Sequence, residues 1–160
     1  MDVEWSHDGR QALLLSQAEV DKSGESYYGK MQLHYINNSG DTAMVELSKN
    51  GPVYSISWNP TRPEFCVVYG FMPAKATVFN SKCDKVFDYG TGSRNMALYN
   101  PQGNLLLLGG FGNLRGNVEI WSEKERKEVA KFDAPDSTDV RSDILSLKHD
   151  SSIYRQSSTL

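Results

Sequence analysis

One phrase recurs three times along these 160 residues: an aromatic-ended segment, a polar turn, an apolar run, a glycine-bearing loop, then two further short segments. Its clearest copies open at Trp58-Asn59-Pro60 and Tyr99-Asn100-Pro101, 41 residues apart (99 − 58), and a weaker copy opens at Trp5-Ser6-His7-Asp8-Gly9. A second landmark keeps the same step: Leu33-His34-Tyr35-Ile36, Ala76-Thr77-Val78-Phe79 and Val118-Glu119-Ile120-Trp121 align at intervals of 43 (79 − 36) and 42 (121 − 79). A unit of about 40 to 45 residues holding four short strands is the sequence signature of a propeller blade of the WD type.

Strand chemistry agrees. Ala12 to Leu15, Phe65 to Tyr69 and Leu105 to Leu108 are short apolar runs bounded by turn residues, as expected of strands covered on both faces. The third strands alternate instead, with Val118 and Ile120 on one face and Glu119 and Trp121 on the other. Glu123, Lys124, Lys127 and Glu128 sit at helical charge spacing, but the repeat register makes that stretch a turn followed by a fourth strand. The recurring positions of Trp5, Trp58 and Trp121 mark them as core residues.

The expected fold is therefore all-β, a partial propeller. Three antiparallel blades of four strands occupy approximately 1–48, 49–90 and 91–137, and a divergent, poorly ordered tail occupies 138–160. Propellers usually close with about four to eight blades, so three leave broad apolar faces and strand edges open. That predicts a fragment, a truncated isoform or a chain that needs a partner.

Charge and cysteine usage narrow the functional classes. With 17 Lys and Arg against 20 Asp and Glu, no whole-molecule field draws the chain to nucleic acid, and such a contact requires a local patch. Cys66 lies in an apolar strand and Cys83 in a turn, a spacing that favours reduced thiols over a disulfide framework or a zinc site. No apolar stretch reaches membrane-span length, and Met1 leads into Asp2 and Glu4 rather than a signal peptide, so cytoplasm is the expected compartment.

Catalytic constellations are thin. His7, His34 and His149 fall in a turn, a strand and the tail, without metal-pair or nucleophile spacing. Gly90-Thr91-Gly92-Ser93 lacks a Gly-Lys-Ser/Thr ending, and the glycine-rich run from Gly110 to Gly116 leads into a strand rather than the helix a phosphate loop needs. No catalytic, cofactor-binding or metal-binding residue and no small-molecule substrate is assigned, and the chain is expected not to be an enzyme.

Loop placement gives one binding candidate. In a four-stranded meander the second-to-third and blade-to-blade connections emerge on one face. There lie Ser48 to Gly51, Phe71 to Lys75, Gly90 to Asn95 and Gly112 to Gly116, carrying Lys49, Lys75, Arg94 and Arg115 and no carboxylate. This separation of sign suits RNA phosphate or an acidic protein; equally, Gly and Pro form the turns while Lys and Arg keep them solvated. The first repeat is less basic there, since Ser16 to Lys30 contains Glu19, Asp21 and Glu25. Tyr27, Tyr28, Phe71 and Phe111 offer either stacking surfaces for bases or packing between blades.

Several strings resemble the eukaryotic translation initiation factor 2A family: Ser26-Tyr27-Tyr28-Gly29, Leu33-His34-Tyr35-Ile36, Glu64-Phe65-Cys66, Val68 to Thr77 and Gly110-Phe111-Gly112-Asn113-Leu114-Arg115-Gly116. The resemblance runs from about Val20 to Thr138 and departs at Asp139-Val140-Arg141-Ser142, as an alternative exon or an incomplete gene model would. It implies a non-enzymatic factor that associates with the small ribosomal subunit, through rRNA or ribosomal proteins. It also implies promotion of initiator methionyl-tRNA delivery without the GTP-dependent mechanism of the trimeric factor of similar name. Contacts to initiator tRNA and mRNA are implied for regions missing here, the preceding blades and a lysine-rich C-terminal extension. The resemblance supplies no catalytic residue, and the alternative reading is a generic WD-repeat scaffold for protein partners.

Overall fold

The computed structural model describes residues 2–17 and 31–134. Among these residues twelve strands form three sheets, each a four-stranded antiparallel meander in chain order. The first sheet contains β1 (Asp2–Trp5), β2 (Gln11–Gln17), β3 (Met31–Asn37) and β4 (Thr42–Val45). The second contains β5 (Val53–Trp58), β6 (Glu64–Tyr69), β7 (Ala74–Asn80) and β8 (Lys85–Gly92). The third contains β9 (Met96–Tyr99), β10 (Leu105–Gly110), β11 (Asn117–Ser122) and β12 (Lys127–Asp133). No α-helix occurs among the described residues, and a single 3-10 turn at Gly112–Leu114 interrupts the β pattern. The stretch with helical charge spacing is a turn leading into β12, because β12 completes the meander by pairing along β11.

Why these strands form is visible in their turns. Asn37 Oδ1 accepts the N–H groups of Ser39 and Asp41 at 3.0 and 2.9 Å, and Asn80 Oδ1 accepts those of Lys82 and Asp84 at 2.9 and 3.0 Å. A short amide side chain thus satisfies the backbone of each β3–β4 and β7–β8 turn. Ser122 Oγ accepts the N–H of Glu125 at 3.3 Å in the corresponding turn of the third sheet.

The sheets stack through two apolar layers. β6 is the pivot: Phe65, Val67 and Tyr69 point to the first sheet, where Leu13, Leu33, Tyr35 and Val45 meet them. Its intervening residues, Cys66 and Val68, point to the third sheet and join Ala97, Tyr99, Leu106 and Leu108. Side-chain alternation along one strand therefore feeds two cores. On the innermost strands, Ser55 and Ser57 reach across to β9. Their hydroxyls accept the N–H groups of Ala97 and Tyr99 at 3.1 and 3.4 Å.

The repeat landmarks become rows of cross-strand partners. Trp58 pairs with Phe65 and Phe65 with Phe79; Tyr99 pairs with Leu106 and Leu106 with Trp121; Trp5 pairs with Ala12 and Ala12 with Ile36. The rows of the second and third sheets face the sheet before them. Trp58 and Tyr99 are accordingly 6% and 7% exposed, whereas Trp5 is 64% exposed. The expectation of a core Trp5 is thus corrected: its row has the same direction as the others, but no sheet lies in front of it among the described residues. The tail expected from 138 onward lies outside the described residues.

Full burial and ring packing at 5.0 Å from Trp58 and 5.7 Å from Phe79 make Phe65 a keystone of the first layer. Phe65→Ala should destabilise the fold by about 3–5 kcal/mol, whereas Trp5→Ala should change stability by about 0.5 kcal/mol or less, both measured by guanidinium denaturation.

Candidate functional site

The four basic residues lie towards one end of the stacked sheets, Lys49, Arg94 and Arg115 in connections between strands and Lys75, expected in a loop, as the second residue of β7. Their backbones are held closely. Gly70 and Phe71 donate N–H bonds to Pro52 and Asn50 carbonyls at 2.9 and 3.0 Å, joining the Lys49 loop to the Phe71 loop. Asn95 and Phe111 exchange two bonds, Asn95 Nδ2 to the Phe111 carbonyl at 3.1 Å and Phe111 N–H to Asn95 Oδ1 at 3.0 Å. A Cβ on Gly110 would come within 1.9 Å of the Ser93 carbonyl oxygen, so only glycine permits that approach of two loops.

Lys49 and Lys75 are brought together. Lys49 Nζ donates to the Pro73 carbonyl, while Lys75 Nζ donates to Ser48 Oγ at 2.9 Å and pairs with Asp88 at 2.8 Å. Ser48 Oγ in turn lies 3.0 Å from the Tyr69 hydroxyl, which is 3.2 Å from Thr77 Oγ1. The Asp88 hydrogen bond holds the Lys75 ammonium above its ordinary range. Partial burial works against the Asp88 carboxylate, but Lys75 and the Gly90 N–H outweigh it and keep its pKa below the ordinary value. The aspartate's stabilising contribution is therefore present above the ordinary carboxylate range and lost as pH falls through its lowered pKa. The lysine's is present below its ordinary range and lost as pH rises through its raised one.

Arg115 stands exposed on the loop of the third sheet, with φ of 66° at the end of the 3-10 turn. Arg94 has a different role from that expected of a loop cation. It is only 4% exposed, and its Nη2 donates to Glu119 at 2.6 Å while Nη1 donates to the carbonyls of Tyr89 and Gly90, each at 3.2 Å. It binds the second sheet to the third instead of facing solvent. Of the aromatic candidates, Phe71 is exposed and Phe111 is buried; Tyr27 and Tyr28 lie outside the described residues. His7 occupies the first turn, His34 is in mid-sheet, and His149 also lies outside the described residues.

Sequence reasoning missed the polar seam between the second and third sheets. Glu119 accepts from Arg94 and from the Trp121 indole, the latter at 3.0 Å. Glu123 is buried and accepts from Arg62 at 3.0 Å, from Arg126 at 2.8 Å and from the Tyr89 hydroxyl. Arg126 also lies 5.2 Å from the Phe87 ring centre. One signal was available, since alternation puts Glu119 on the same inward face as Trp121. Near the opposite end, Asn59 Nδ2 donates to the Gly103 carbonyl at 2.9 Å. Gly103 has φ of +67°, and a Cβ there would stand 2.3 Å from Asn59 Oδ1.

With this geometry in hand, comparison with known proteins is direct. The family described as Eukaryotic translation initiation factor eIF2A matches residues 1–144. Eukaryotic translation initiation factor 2A of Drosophila melanogaster is 51% identical over 138 residues, covering 86% of this chain and 22% of that protein. The chain belongs to the initiation factor 2A family. The Caenorhabditis elegans member is 43% identical, with 85% of this chain and 24% of that protein covered. The chain thus spans less than a quarter of the length of these relatives. A solved structure of a eukaryotic initiation factor superposes with a TM-score of 0.71 at 28% identity, covering 83% of this chain and 31% of that one. The β-propeller domain of the Trilobed protease from Pyrococcus furiosus gives 0.61 at 11% identity, covering 85% of this chain and 43% of that one, a likeness of fold alone. This family segment is a partial propeller, and no helix among its described residues is long and apolar enough to cross a membrane.

Two consequences can be measured. Glu119→Ala leaves Arg94 buried without its carboxylate and should destabilise by about 3–5 kcal/mol, while Arg94→Met added to it recovers most of that loss in denaturant titrations. The Asp88 carboxyl should titrate below 3.8, and Lys75→Met should move its midpoint upward, as read by carbon-detected NMR.

Proposed function

We propose that this chain is a non-catalytic platform of a cytoplasmic translation initiation factor that associates with the small ribosomal subunit and supports delivery of initiator methionyl-tRNA. Family membership, at 51% identity to a protein named as that factor, carries the reading. The fold suits it physically: short loops braced by hydrogen bonds across neighbouring connections lose little freedom on binding. Contacts to initiator tRNA and mRNA belong in this reading to other parts of the longer factor.

Lys49, Arg115 and Lys75, the last sharing its ammonium with Asp88 at 2.8 Å and only partly exposed, are the proposed contacts to rRNA or acidic ribosomal protein. Arg94 is left out because its guanidinium is committed to Glu119. A second reading rests on Phe71 and Met72, which are exposed in the loop adjoining Lys49. An apolar tip flanked by lysines also suits a protein partner, as in a generic WD-repeat scaffold.

Small ribosomal subunits sedimented with this chain over a salt series distinguish the two. Replacing Lys49, Lys75 and Arg115 by Ala should weaken co-sedimentation and flatten the log–log salt slope by about 2. Unchanged affinity and slope would remove these residues from the account. Nuclease-insensitive association that is lost with Phe71→Ala would favour the protein-partner reading.

A further inference from the structure

Phe71 and Met72 form an apolar tip on the connection from β6 to β7, 48% and 40% exposed. The strands that carry it belong to the second sheet, which is packed on both faces, so the tip is exposed with both neighbouring sheets in place. Phe111, in the matching connection of the third sheet, behaves differently. It is 8% exposed and folds back over its own strand, where a Cβ on Gly109 would stand 2.2 Å from its ring. Two residues before Phe71 the chain has Tyr69 instead of a glycine. That side chain is buried and tied to Ser48 and Thr77, so the same fold-back is closed to Phe71.

The tip is braced from both sides. Gly70 and Phe71 donate N–H bonds to the Pro52 and Asn50 carbonyls, and a Cβ on Gly51 would meet the Phe71 nitrogen at 2.2 Å, so glycine is required where the two connections run side by side. A Cβ on Gly70 would stand 2.6 Å from Lys49 Cδ. The Lys49 stem thus crosses the base of the tip and sets its ammonium on the Pro73 carbonyl, two residues beyond Phe71. Lys75 follows after two more residues, with two of its three ammonium donors spent on Ser48 and Asp88. An exposed ring on a braced loop is therefore flanked by two positioned cations, and the carboxylate beside them, Asp88, is already paired.

We propose that this tip is a subsite for one unpaired nucleotide of ribosomal RNA. The Phe71 ring stacks on the base, and the Lys49 and Lys75 ammonium groups take the adjoining phosphate. A nucleotide carries a flat π face and an anion in one unit. An apolar peptide side chain would leave the cations unanswered, and an acidic one would leave the ring uncovered. Bases inside a duplex keep their faces on one another, so the subsite selects bases outside it. The inference rests on the reading of this end as a contact to the small ribosomal subunit, and adds to it a stacking contact that carries no charge.

The test is binding of the chain to a fluorescent adenylate oligomer of about 8 nucleotides, followed by anisotropy over a salt series, alongside co-sedimentation with small ribosomal subunits. Phe71→Leu, which keeps apolar bulk and removes the ring, should weaken both associations by about 5- to 150-fold and leave the salt slope unchanged. Phe71→Trp should retain affinity, and its added emission relative to the parent chain should be quenched as the oligomer binds. Lys49→Ala with Lys75→Ala should instead flatten the oligomer's salt slope by about 1.4. If replacing Lys49, Lys75 and Arg115 weakens subunit co-sedimentation while Phe71→Leu does not, the ribosomal reading stands and the base subsite is overturned. Full affinity in Phe71→Leu with loss in Phe71→Ala also overturns it, since any apolar contact would then suffice. Binding to nuclease-digested subunits that still requires Phe71 does so too, and assigns the tip to a protein partner.

Discussion

Everything in this structure depends on the second sheet being apolar on both faces. A four-stranded meander with an apolar face must cover that face against another layer, and the second sheet has two such faces. Alternation along β6 resolves this by giving Phe65, Val67 and Tyr69 to one neighbour and Cys66 and Val68 to the other. The three meanders are thereby committed to a stack. Loops at its ends inherit fixed relative positions from strands that do not share a sheet, and the proposed recognition surface is a by-product of that packing.

Much of this could be read from residue order. A step of 41 to 43 residues between matched aromatic segments implied equivalent sheets, because each aromatic must meet the same neighbour in each copy. The apolar run from Phe65 to Tyr69 announced double burial. Trp5 shows the limit of that logic: repetition specifies the direction a side chain faces, but its burial depends on whether something stands in front of it.

The candidate site was legible only in outline. Loop composition located Lys49, Lys75, Arg94 and Arg115 at one end, but composition gives no depth. Arg94 turns inward because Glu119, 25 residues later, is brought beneath it by stacking of the third sheet on the second. Asp88 escaped notice as the partner of Lys75 because it lies within β8, outside the loops, and only the register of β7 against β8 brings the two together. Glu123 sat in a stretch whose charge spacing suggested a helix surface, and its burial follows from a turn that folds it against Tyr89.

The carboxylate seam also sets a phase. An apolar layer tolerates sliding, since one methyl group serves nearly as well as the next, but Glu119 and Glu123 each need a cation at a single height along the strands. A slip by one pleat would strand two charges in a dry layer, so neighbouring meanders have one vernier setting instead of a range. Any blade that joins such a stack by its apolar surface alone, with no paired ions, lacks that indexing and is free to settle in more than one position.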